Sequence, residues 1–233
     1  MLVATAVCPH PPLIVPELAG AAAPELDGLR AASAAAIAAL AGARPDRLLV
    51  VGGADLGATF GPEAAAGFAP WGVDVRVGEG EPVLPLSLAV GRWLLERAGV
   101  AADGFHAVPF DAPPEECLAL GRRLAAAAGE RVALLVMGDG SACLTERSPG
   151  YVDPRARPYH AMVTRALAGP DVAALAALDP AQAEELWMAG RAAFQVLAGA
   201  AGADADFTAE ISYDEAPYGV GYLVATWRRA DAG

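Results

Sequence analysis

RLLVVGG at residues 47–53 and VALLVMGDG at residues 132–140 decide how this chain folds. Each is an unbroken apolar run of strand length that closes on glycine, and a strand without polar alternation is one buried on both faces. Such strands belong in the middle of a parallel sheet with helices on either side. Working outward, residues 2–7 form a third apolar run, which enters the rigid stretch CPHPPLIVP, where proline cannot continue a ladder. Between the two deciding runs the pattern gives a weaker strand at 73–77, a helix at 86–98, a short strand at 106–109 and a helix at 113–128.

The remainder of the chain keeps the alternation. Residues 17–43 carry Leu26, Leu29, Ile37 and Leu40 at helical spacing, with Pro24 as a late start and Gly42 and Pro45 as the stop. Helices are expected at 155–167, around 172–178 and at 181–200, followed by strands at 207–213 and 220–228 around a turn at 214–217. The expected fold is a three-layer α/β/α sandwich with a mostly parallel central sheet and a C-terminal hairpin. With 233 residues and no linker or repeat, the chain reads as one domain, residues 1–233.

Composition removes several function classes. Sixteen basic residues, all arginine, stand against 28 acidic ones, a net charge of −12, so no nucleic-acid partner is expected. No apolar stretch is long enough to span a membrane, and the Ala-rich run 31–43 is bounded by Arg30 and Arg44. Cys8, Cys117 and Cys143 fit neither a disulfide framework nor a CxxC knuckle, and the start MLVATAVCPHPP lacks a basic leader region, which together point to the reducing cytoplasm.

In open α/β sheets ligands gather beyond the carboxyl ends of the strands, where neighbouring connections diverge. The loops CPHPP, GGADLG and MGDGSACL lie there. His10, fixed between Pro9 and Pro11, suits a metal ligand or a base, and Asp55 offers a carboxylate for a hard cation. Asp139 and Ser141 line the third loop, whose glycines lack the lysine of a phosphate loop. His160 stands in RPYHAMV beside a loop rich in charge, and Glu210, Asp214 and Glu215 lead into the last turn.

His10 in CPHPPLIVPEL, GDGSA followed by PGYVDPRA, and the closing APYGVGYLVATW resemble the class III extradiol ring-cleavage dioxygenases, the LigB-like superfamily, over nearly the whole chain. That resemblance implies ferrous iron, or another divalent metal, held by two histidines and a glutamate, with an aromatic small molecule as substrate and a further histidine as acid and base. Carried over by position, His10 is the first ligand, Asp55 stands where the second histidine would be, and Glu210 is the matching carboxylate. Ala142 occupies the acid–base position after Ser141, leaving His160, Asp139 and Ser141 as candidate catalytic groups. The resemblance also implies a homo-oligomer. The two readings are a metal-dependent oxidoreductase and a catalytically degenerate relative that binds a small molecule or partner without ring cleavage.

Overall fold

The computed structural model describes residues 1–126, 129–203 and 206–230. A seven-stranded mixed sheet runs through it in the order β3-β6-β2-β7-β1-β9-β8. Its centre is the four parallel strands β6 (Gly104–Pro109), β2 (Arg47–Ala54), β7 (Val132–Met137) and β1 (Leu2–Cys8). The C-terminal hairpin, β8 (Phe207–Glu215) and β9 (Tyr222–Arg229), adds to the β1 edge antiparallel. On the far edge, β3 (Ala58–Phe60) pairs antiparallel with β6. β3 is short and exposed, so its sequence carries no apolar pattern to announce it.

Alternate residues of the central strands feed two separate cores. Val7, Leu49, Val51, Leu134 and Val136 pack with α4 (Pro114–Ala125), α5 (Ala156–Ala168) and α8 (Arg191–Ala201). Ala6, Cys8, Val50, Leu135 and Met137 pack on the opposite face with α2 (Asp27–Gly42) and α3 (Leu86–Arg97). A period of two with both faces apolar is what the runs at 47–53 and 132–140 require. The short helices α1 (Pro16–Ala19), α6 (Val172–Ala176) and α7 (Pro180–Glu185) complete the covering.

Three elements depart from the sequence reading. The helix read over 17–43 begins at Asp27, because Gly20–Leu26 forms a 3-10 stretch that contains Pro24. The strand read at 73–77 shrinks to β5 (Arg76–Val77), which pairs with β4 (Ala66–Gly67) in a separate two-stranded sheet. The helix read at 181–200 is broken between α7 and α8, where Trp187 takes a left-handed φ of 50°. The break frees the Leu186 carbonyl, which accepts from the Ser141 hydroxyl and the Ala142 N–H, so tertiary hydrogen bonds override helix propensity. The last two residues of the helix read at 113–128 lie outside the described residues. Among the described residues no helix is long and apolar enough to cross a membrane.

Candidate functional site

Parallel pairing of β1 with β7 puts Cys8 opposite Met137, so residue 10 arrives level with residue 139. Gly138 N–H donates to the Cys8 carbonyl at 2.9 Å and carries the ladder into the loops. Asp139 then accepts the main-chain N–H of His10 on Oδ1 at 2.7 Å, while His10 Nδ1 lies 3.7 Å from the same oxygen. The second distance is too long for a hydrogen bond, so the ring gains from the carboxylate only Coulombically and only when protonated. His10 is 5% exposed, and its Nδ1 is buried with no hydrogen-bond partner.

Asp139 is also a junction for the main chain. Its carbonyl accepts from Gly190 N–H at 2.9 Å at the start of α8, and the next residue, Gly140, donates to the Gly221 carbonyl at 2.7 Å ahead of β9. Tyr222 is buried beside it, and burial first, then the Asp139 charge, pushes the phenol above its ordinary range. The hydroxyl therefore stays protonated at neutral pH. Asp139→Ala removes the acceptor for a part-buried N–H and is expected to lower stability by about 1–2 kcal/mol, with Asp139→Asn recovering part of the loss. Urea unfolding of the two variants measures this, and equal midpoints for Asp139→Ala and the parent would refute the clasp.

A second imidazole–carboxylate pair lies on the α5 side. His160 Nε2 meets Asp214 Oδ1 at 2.8 Å, tying α5 to β8. Its Nδ1 is buried without a partner against Gly140 and Gly221, neither of which leaves room for a Cβ. Asp214 reaches this face because the β8 register shifts between Ile211 and Tyr213. An extra residue in a strand reverses the facing of everything after it. Ile211 accordingly packs on the α5 side and Tyr213 on the α2 side.

Glu210 is separated from the site by its distance along the strand. Glu210 is opposite Thr226, which is opposite Ala6, and it lines a cavity of about 350 Å³ with Ala39 and Leu40 of α2. Four residues of strand separate Ala6 from His10, or ~13 Å at the usual rise. Asp55 is exposed at the end of β2, which β7 separates from β1 by two strand spacings, about 9–10 Å. His10, Asp55 and Glu210 therefore do not share a point, which corrects the metal set expected from the sequence. Among the described residues no three His, Cys, Asp or Glu side chains gather to hold a metal ion. A ferrous ion held by a histidine and carboxylate face does not fit this donor arrangement.

The remaining candidates are fixed in the loops. Ser141 is fully buried; its hydroxyl donates to the Leu186 carbonyl at 2.6 Å and accepts from Cys143 N–H at 3.1 Å. With both roles engaged it shapes the loop and is no nucleophile. Burial pushes the Cys8 thiol up to about 12 and raises those of Cys117 and Cys143, so none supplies a thiolate at neutral pH.

No family model and no curated protein matches this chain. Among solved structures, it is similar to the crystal structure of the uncharacterized protein JW3007 from Escherichia coli K12, at 12% identity and a TM-score of 0.54, over 97% of this chain and 99% of that one. The likeness is one of fold.

Sequence reasoning missed Tyr222, whose only signal was its place in PYGVGY, and Arg191. Arg191 is 2% exposed at the head of α8, donating to the Ala112 carbonyl at 2.5 Å, to Gln195 Oε1 at 2.9 Å and to the Phe110 carbonyl. It fixes the loop after β6, and the Phe110 ring in that loop closes over Gly53 at the end of β2. Around this end of the sheet stand exposed aromatic groups, Phe110, Tyr151 and Trp187, the last 58% exposed.

Proposed function

We propose that the chain is a three-layer sandwich of the LigB-like kind that binds a small aromatic molecule at the carboxyl ends of its strands without cleaving the ring. The observation that carries this reading is the position of Glu210, which lies ~13 Å along the strands from the level of His10 and cannot join it at one cation. Ring cleavage by non-haem iron needs a metal with open positions for both catecholate and dioxygen. What the site offers instead is a carboxylate, a protonated phenol and an imidazole, in Asp139, Tyr222 and His10, which suit hydroxyl groups on a ligand. The aromatic rim of Phe110, Tyr151 and Trp187 supports a planar ligand, because rings stack on exposed rings.

Catechol supplied to the protein together with ferrous iron is expected to give no oxygen uptake above a protein-free control. In calorimetry, catechol is expected to bind the parent and to bind His10→Ala several-fold more weakly. Oxygen consumption with a yellow ring-opened product would overturn the reading in favour of the oxidoreductase, and the absence of any catechol heat would overturn it as a binding site.

A further inference from the structure

Glu210 and Arg228 are the two charged side chains among the described residues that line the cavity of about 350 Å³ between α2 and the sheet. Strand pairing brings them there. Arg228 of β9 is opposite Ala4 on one side and Thr208 on the other, and Thr226 is likewise flanked by Ala6 and Glu210. These six residues share one face of the sheet, and Ala4 and Ala6 identify it as the face that packs on α2. Glu210 and Arg228 are diagonal neighbours on adjacent strands, ~7–8 Å apart, with Thr208 and Thr226 at the other two corners. The cavity lies toward the amino-terminal end of the parallel strands, away from His10.

The two charges do not neutralise one another. Both residues are exposed, and neither side chain forms an ion pair with the other or with any other described residue. Direct pairing would gain little, because two long side chains would have to be held still in water. The helix side of the cavity is apolar: Ala39 brings only a methyl group to it, and Leu40 adds an aliphatic wall. Ala4 is equally small on the sheet side, so the gap between the layers is not filled. The result is a space at the small end of the range for small-molecule sites, with a cation and an anion from the sheet facing an alkyl wall from the helix.

We propose that this cavity is a binding site for a free α-amino acid with a short aliphatic side chain. Such a molecule carries an ammonium and a carboxylate on one carbon, so it answers both charges at once. The Arg228 guanidinium donates two N–H groups to the carboxylate, and the Glu210 carboxylate accepts from the ammonium. The alkyl group then meets Ala39 and Leu40. Net charge favours the zwitterion over its simpler relatives. In a chain of net charge −12 the surrounding field repels a plain carboxylate, and a plain amine leaves Arg228 uncompensated beside it. The site stands independently of the ligand proposed at the carboxyl ends.

Titration of the isotope-labelled protein with L-valine, followed through the NMR shifts of the β8 and β9 amides, tests it. The parent is expected to saturate at roughly millimolar ligand. Isovalerate, which lacks the ammonium, and isobutylamine, which lacks the carboxylate, are each expected to bind about tenfold more weakly or worse. Arg228→Gln and Glu210→Gln are each expected to weaken L-valine by about tenfold. Both side chains are exposed and without an ion pair to lose, so the melting curve is expected to stay in place and lost binding is not lost fold. Arg76→Gln, in the separate two-stranded sheet, is the charge-matched control for Arg228 and is expected to bind as the parent does. No saturable shift with L-valine, equal binding of isovalerate or isobutylamine, or a loss in the Arg76 control equal to that in Arg228→Gln overturns the proposal.

Discussion

Gly121→Ala is expected to destabilise the protein by about 3 kcal/mol or more, lowering the melting midpoint by roughly 6–12 °C for a chain of this size. A methyl group at residue 121 of α4 would lie 2.0 Å from the Val196 carbonyl oxygen and 2.6 Å from the Ala200 nitrogen of α8. The contact is reciprocal: a Cβ on Gly199 of α8 would lie 2.2 Å from the Leu118 carbonyl oxygen of α4. Both obstacles are backbone, which cannot rotate aside as a side chain can. The helices must separate, and the core they share with β6 and β7 opens with them. Alanine gains about 1 kcal/mol of helix propensity over glycine, far less than the overpacking. Thermal unfolding followed by circular dichroism is the measurement. A midpoint within about 2 °C of the parent would show that the two helices can part without opening the core.

Gly221→Ala is expected to cost about 2–3 kcal/mol, and the larger part of that loss should vanish when His160 is alanine. The added Cβ would sit 2.4 Å from His160 Cε1 and 2.5 Å from Nδ1, so the ring has to leave. Its departure breaks the 2.8 Å bond to Asp214 and with it the tie between α5 and β8. In the His160→Ala background the obstacle is gone, and the same glycine change is expected to cost less than about 1 kcal/mol. Four denaturant curves complete the cycle. An equal penalty in both backgrounds would mean that the backbone at residue 221, and not the imidazole, meets the methyl group.

The sheet was legible because burial on two faces leaves an unmistakable trace: RLLVVGG and VALLVMGDG lie at its centre, as β2 and β7. His10 and Asp139 were legible as well, since each stands just past such a strand and the parallel register sets them level. The pointer to Glu210 as the carboxylate is its place near the last hairpin, where Asp214 also stands, and that placement does not tell which face or level of β8 each occupies. The register shift between them makes them opposite, and nothing in FTAEISYDE marks where the extra residue falls. The break at Trp187 was hidden for a different reason. It is maintained by hydrogen bonds to Ser141 and Ala142, which are remote in sequence.

Proline has no main-chain N–H, so in the run Pro9-His10-Pro11 only the middle residue can answer the Asp139 carboxylate. The grip is on the peptide and takes no account of the ring attached to it. Descent can therefore exchange the imidazole for an amide or a thioether while the loop keeps its path, leaving this mouth free to acquire different chemistry without rebuilding its frame.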